Sequence, residues 1–138
     1  MVQQIKISPL GILSKHFTHA EFFRHYINDE IPVTYYNNAL ALANLLEQVR
    51  DVFNTPLFIN SCYRDEQRNK LAGGVSNSQH LTASAVDFRP VNLVDFDRVF
   101  NACKVFPFGQ LIRYDSFIHI SLMRPDKPNK MIIDKRSK

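Results

Sequence analysis

The sequence predicts an α+β fold in which helices pack on one face of a small antiparallel sheet. Apolar residues recur at helical spacing through residues 39–53, in the first half of the chain. Short runs rich in β-branched and aromatic residues, "SAVDF", "GQLIRY" and "SFIHISL", concentrate in the second half. The last two runs are joined by only residues 114–116, which indicates antiparallel pairing. Helices followed by strands are typical of the α+β class.

Two helices are predicted in the N-terminal half. Thr18 followed by Glu21 forms a capping box, and Phe17 and Phe22 occupy the two positions of a hydrophobic staple, so a short helix should begin there. The second and longest helix is indicated by one apolar stripe with steps of three and four. Its members are Ala39, Leu42, Leu45, Leu46, Val49, Val52 and Phe53.

The C-terminal half alternates short strands with short helices. "PLFINS" predicts a strand that follows Pro56, and "DEQRNKLAGG" predicts a helix capped by Asp65 and ended by Gly73. "SAVDF" is a second strand, and a helix near Asn92 precedes the strands "GQLIRY" and "SFIHISL". No internal repeat or linker interrupts the 138 residues, so a single domain over residues 1–138 is expected.

Composition and charge exclude several classes of protein. The net charge of +4 is confined to a basic tail from about Arg124, because the first 123 residues carry equal numbers of acidic and basic groups. No recognition motif or interleaved aromatic residue accompanies that tail, so no specific nucleic-acid partner is expected. Cys62 and Cys103 lack paired spacing, so both should be free, buried thiols.

The sequence shows neither a signal-peptide pattern nor a membrane-spanning pattern. The first ten residues, "MVQQIKISPL", hold no apolar run of signal-peptide length, and no segment approaches the ~20 apolar residues that span a bilayer. We expect synthesis in the cytoplasm without a signal peptide, no insertion into a membrane, and a monomer.

Two potential metal ligands share one face of the predicted sheet. Side chains alternate between the two faces of a strand. His119 therefore projects from the face that Ile118 and Ile120 do not occupy, and Asp87 projects from the face that Val86 and Phe88 do not occupy. His80 arrives on the preceding loop. Two imidazoles and one carboxylate are the ligand set of a catalytic zinc site that keeps a fourth position for water. A hydrogen-bonding surface role for each residue is the alternative.

Longer motifs around these residues resemble a known family. "SNSQHLTASAVD" fits the form S-x-H-x-x-G-x-A-x-D at Ser78, His80, Ala85 and Asp87, and "FIHIS" at residues 117–121 fits its closing motif. With "YR" at residues 63–64 and "GGV" at residues 73–75, the chain resembles zinc D-alanyl-D-alanine carboxypeptidases. That family includes phage L-alanyl-D-glutamate endolysins and shares its fold with the hedgehog signalling domain.

The resemblance implies roles for individual residues. His80, Asp87 and His119 would bind Zn²⁺, on the sheet face opposite the helices. Arg64 would face the substrate, holding its carboxylate or the carbonyl oxygen that becomes negative during attack. Ser78 and Ser121 would be hydrogen-bond partners at the substrate and ligand site; ordinary turn and strand roles are the alternative.

Two positions depart from the family pattern. Ala83 stands where the motif has glycine, so a positive φ there would carry a conformational penalty. Family members carry an acidic residue three positions before the last histidine, where this chain has Ser116. Asp115 precedes it, and two interpretations are open: a catalytic base on the face of His119, or a hairpin-turn aspartate.

The resulting functional hypothesis is a zinc peptidase that hydrolyses peptide bonds of bacterial peptidoglycan and acts on the cell wall after lysis or assisted release. A phage or prophage lysis enzyme fits the lack of a signal peptide. Loss of the family's acid motivates the alternative of a catalytically impaired module that binds wall peptide or a protein partner. A non-haem iron oxygenase uses the same donor types, but the spacing of seven between His80 and Asp87 argues against it.

Overall fold

A computed structural model describes residues 2–137 as two sheets and four α-helices. Met1 and Lys138 lie outside the described range. They are the two ends of the predicted domain, and Lys138 is also one of the basic residues of the tail. The helices are α1 (His19–Phe22), α2 (Val33–Phe53), α3 (Glu66–Leu71) and α4 (Phe96–Cys103). The strands are β1 (Gln4–Lys6), β2 (Glu30–Pro32), β3 (Leu57–Ser61), β4 (Ala85–Pro90), β5 (Gln110–Arg113), β6 (Ile118–Ser121) and β7 (Met131–Asp134).

The α+β class is confirmed, but the main sheet is mixed rather than antiparallel. Its five strands run in the order β3-β4-β6-β5-β7, and β1 pairs with β2 in a separate two-stranded sheet. The neighbours from β3 to β5 are antiparallel, whereas β7 pairs with β5 in parallel. The basic C-terminal tail therefore contains an edge strand that the sequence did not predict.

Local signals account for the helix boundaries. Thr18 and Glu21 form the predicted capping box at α1, and the Phe17 and Phe22 rings lie 5.8 Å apart. The Asp65 carboxylate accepts a hydrogen bond from the Arg68 N–H at the start of α3, and Gly73 has φ of +77° just beyond its end. Capping of this kind stabilises the first turn of a helix by about 1 kcal/mol.

The hydrophobic core lies between the helices and one face of the main sheet. The stripe of α2 is buried from Ala39 to Val49, whereas Val52 and Phe53 are exposed and Phe53 is covered by the Arg98 guanidinium. The sheet supplies alternate residues of its strands to the same cluster: Ile59, Val86, Phe88, Leu111, Ile118 and Ile120. The intervening residues of β4, β5 and β6 therefore project from the opposite face.

Both cysteines are buried and free, as predicted. Among residues 2–137, no helix combines the length and the apolar character that crossing a bilayer requires.

Candidate metal centre

The pairing of β4 with β6 brings two potential ligands side by side. Asp87 is directly opposite His119 in the antiparallel register. The Asp87 Oδ1 atom lies 2.8 Å from Nδ1 of His119, and both side chains are only slightly exposed, at 13% and 14%. The alternation argument from the sequence therefore gives the correct face for both residues.

A short 3₁₀ turn, Gln79–Thr82, carries His80 to the same place. The Ser78 hydroxyl accepts a hydrogen bond from the His80 N–H at the start of this turn. Nδ1 of His80 lies 2.7 Å from the Cys62 carbonyl oxygen, and Nε2 lies 3.3 Å from Oδ1 of Asp87. One donor atom from each of His80, Asp87 and His119 thus lies within 4.8 Å of the others.

The hydrogen bonding of His80 favours a cation between these donors. A carbonyl oxygen only accepts, so Nδ1 carries a proton, and in the neutral form of the ring the lone pair of Nε2 is directed toward Asp87. Nε2 is buried and makes no hydrogen bond within the described part of the chain. Two lone pairs that face each other need a proton or a metal ion between them, and a backbone carbonyl on the second nitrogen is the usual support of a metal-ligating histidine. The three residues therefore fit a metal ion.

Asp87 is held in its ionised form. Burial would raise the pKa of the Asp87 carboxyl, but its interactions with the His119 and His80 side chains outweigh burial and hold that pKa well below its usual range. A carboxylate that stays ionised suits a metal ligand. It is a poor proton acceptor at neutral pH, so Asp87 does not replace the missing general base.

The donors line a cavity of about 590 Å³ on the open face of the main sheet. Arg64 and Ser78 line this cavity, as expected from the sequence. The Arg64 N–H donates to the His80 carbonyl, and the buried Nε atom of Arg64 has no hydrogen-bond partner among residues 2–137. Arg64 therefore adds a cationic side chain to the lining of the cavity that holds the donors, and a guanidinium there would pair with an anionic group.

Ser121 is not among the described residues that line the cavity. Its side chain is fully buried, and its hydroxyl accepts a hydrogen bond from the Gln110 N–H at 2.9 Å. Ser121 therefore fixes β5 against β6, the ordinary strand role that the sequence left open. Ser78 lines the cavity but also caps the turn of His80, so the structure gives it a positioning role.

Asp115 is also not among the described residues that line the donor cavity. The Tyr114 N–H donates to the Phe117 carbonyl, so Asp115 and Ser116 form the tip of the hairpin between β5 and β6. Asp115 lies four residues before His119, but the chain reverses between them. The alternation of side chains along a strand does not continue across a turn, so the two residues need not share a face. The Asp115 carboxylate instead accepts hydrogen bonds from the N–H and the hydroxyl of Ser137.

Several residues that line the cavity were not predicted from the sequence. They are chiefly Gln110, Tyr114, Phe117, Arg124 and Lys135. Tyr114 stacks on Phe117 with ring centroids 4.5 Å apart. Burial, with the nearby charge of Asp87 adding to it, raises the pKa of Tyr114, so its hydroxyl is a neutral hydrogen-bond donor. Alternation along "GQLIRY" would have found Gln110 and Tyr114 once β5 was paired with β6.

Ala83 adopts the left-handed conformation, with φ of 57°, directly after the turn of His80. We expect Ala83→Gly to change the free energy of unfolding by less than about 0.5 kcal/mol, because relief of backbone strain offsets the loss of a buried methyl group. Ala85, equally buried and in β4, is the matched control, and Ala85→Gly should cost about 1–2 kcal/mol. Urea unfolding measures both, and equal losses would contradict strain at Ala83.

Two comparisons with known proteins bear on the function of the metal donors. No curated protein sequence gives a significant match to the chain. A family profile described as Peptidase M15 matches residues 15–121, well over half of the chain and including all three donors. The chain therefore belongs to the peptidase M15 family.

Proposed function

We propose that the protein is a zinc peptidase that hydrolyses peptide bonds of bacterial peptidoglycan, of the type that phages or prophages use for lysis. The convergence of His80 Nε2, Asp87 Oδ1 and His119 Nδ1, with Nε2 buried and unpaired, carries this proposal. Membership of the peptidase M15 family supports hydrolysis of a peptide bond. The relation to the hedgehog and D,D-peptidase fold is part of the same proposal.

His80, Asp87 and His119 would hold the zinc ion, with Cys62 fixing the tautomer of His80 through its carbonyl. Bound zinc supplies a Lewis acid and a water molecule of lowered pKa. Arg64 would pair with a substrate carboxylate or with the oxygen of the scissile carbonyl, because the fork of a guanidinium matches the geometry of oxygen acceptors.

Tyr114 would donate a hydrogen bond to the carbonyl oxygen as negative charge develops on it. Its ring lines the donor cavity and is held by stacking on Phe117. A pre-oriented neutral donor in a partly dry site stabilises such an oxygen without the cost of reorganisation. Among the described residues that line the cavity, Tyr114 and Ser78 carry hydroxyl groups, and the hydroxyl of Ser78 already caps the turn of His80.

A second candidate function is a module that binds wall peptide without cutting it. Among residues 2–137, Asp87 is the only carboxylate that lines the cavity, so the site lacks the acid that family members use as the base. Zinc would still bind and orient a peptide carbonyl, but positioned proton transfer, typically worth 10²–10⁴-fold, would be missing.

Digestion of purified peptidoglycan separates the two candidates. Zinc-loaded protein should generate new amino termini that mass spectrometry identifies, and an EDTA-treated sample should leave the fragments unchanged. The new termini also name the bond that is cut. Tight binding of wall fragments by the zinc-loaded protein without new termini would favour the binding module. Metal analysis of protein purified without added metal distinguishes zinc from iron.

We further propose that the protein is made in the cytoplasm as a monomer and reaches the wall after lysis or assisted release. The basic residues of the tail would add a weak, salt-dependent attraction to the anionic wall.

Replacing Asp115 with alanine should lower the hydrolysis rate by less than about threefold, because its carboxylate binds Ser137 rather than a group in the cavity. Loss of a general base would instead cost about 10²–10⁴-fold. Initial rates of peptidoglycan hydrolysis measure the difference. Ser116→Ala, at the other residue of the hairpin tip, is the control; a loss above a hundredfold for Asp115→Ala alone would restore Asp115 as the base.

A further inference from the structure

The C-terminal segment, residues 122–137, forms a wall of the donor cavity although it lies beyond the residues matched by the family. Strand β7 lies beside β5, where the Met131 N–H donates to the Gly109 carbonyl and the Lys135 N–H donates to the Arg113 carbonyl. The bonds from Ser137 to Asp115 fasten the end of the segment to the hairpin tip. The segment is therefore held at both ends of β7.

Strand register sets the direction of Lys135. Ile133 is opposite Ile112 in the parallel pair, and Ile112 is opposite His119 in the antiparallel pair. Lys135 follows Ile133 by two positions, so it shares the face that carries the metal donors. Its Nζ atom lies 6.0 Å from the centre of the Tyr114 ring, and both residues line the cavity.

The lining of the cavity is strongly cationic. Arg64, Arg124 and Lys135 face a single carboxylate, Asp87, which is already engaged by two histidines. The Arg124 guanidinium donates to the Pro128 carbonyl and so is partly occupied by its own loop. Within residues 2–137, no carboxylate lies within salt-bridge distance of Lys135. Lys135 is exposed and is the cation most available to a ligand.

We propose that the C-terminal segment is a specificity element whose Lys135, the residue after β7, binds a carboxylate of an acidic peptide substrate, away from the bond that is cut. This inference rests on the proposed peptide substrate and names the charge that the site prefers. An ammonium at the rim attracts an anion over several ångströms and pairs with it on arrival, so it discriminates by charge more than by shape.

The test compares two synthetic muropeptides that differ only in whether their side-chain carboxyl groups are free or amidated. The zinc-loaded protein should prefer the peptide with free carboxyl groups. Lys135→Glu should raise the KM for that peptide by about tenfold and change the KM for the amidated peptide by less than twofold. Lys135→Gln should give a smaller loss, about two- to fivefold. Lys127→Glu, an equal charge change on the same segment but outside the cavity, should leave both peptides unchanged.

Calorimetric binding of both peptides to the zinc-loaded wild-type protein separates the two levels of the proposal. Charge-dependent binding without cleavage would retain the role of Lys135 and reject the peptidase. Cleavage of both peptides at equal KM, or an equal loss on both peptides in Lys135→Glu, would overturn the specificity role and leave the peptidase standing. Neither binding nor cleavage of either peptide would reject both.

Discussion

Replacing Asp87 with asparagine is expected to abolish stoichiometric zinc binding and to lower peptidoglycan hydrolysis by about 10³-fold or more. Asparagine keeps the size of the side chain but removes the charge that faces Nε2 of His80 and Nδ1 of His119. A divalent ion would lose its only anionic ligand, and the Lewis acid it supplies is worth several kcal/mol to the reaction. Metal content per chain and initial hydrolysis rates measure the two effects.

The matched control for this substitution is Asp51→Asn, which removes the same charge from an exposed position in α2. Asp51→Asn should bind one zinc ion per chain and keep the wild-type rate. Zinc should also raise the thermal unfolding midpoint of the wild-type protein and of Asp51→Asn, because a ligand bound only by the folded state stabilises it, but not that of Asp87→Asn. An Asp87→Asn protein that retains one tightly bound zinc would remove the basis of the proposed site.

Local sequence signals predicted most of the elements that position the site. The capping box at Thr18, the Asp65 cap and the stripe of α2 depend on neighbours within a few residues, so they could be found without knowledge of the fold. Alternation within β4 and β6 also sufficed to place Asp87 and His119 on one face. His80 was placed beside them from its position on the loop before β4 and then from the motif resemblance, since the turn at residues 79–82 has no periodic signal.

The errors arise where contacts are distant in the sequence. Strand β7 pairs with β5 about twenty residues away, and its short run "MIID" was hidden within a basic tail. Because the pairing of β7 with β5 was not predicted, Lys135 was not predicted to line the site. For Asp115, the interpretation as a base continued the alternation of a strand through a reversal of the chain, whereas the structure has Asp115 in the hairpin turn, the other interpretation that the sequence left open. Turn residues follow hydrogen bonding within the turn and to whatever packs on it, here Ser137.

Replacing Tyr114 with phenylalanine should lower kcat by about a hundredfold and leave KM nearly unchanged. The substitution keeps the ring that stacks on Phe117 and removes only the hydroxyl, so it deletes a donor used by the oxygen as its charge develops. Tyr35→Phe is the control, because Tyr35 is a partly buried tyrosine outside the donor cavity. A rise in KM at constant kcat would instead assign Tyr114 to ground-state binding. Unchanged kinetics would assign this oxygen to another group, and Arg64 would be the first candidate because it belongs to the lining of the cavity and a guanidinium pairs with oxyanions.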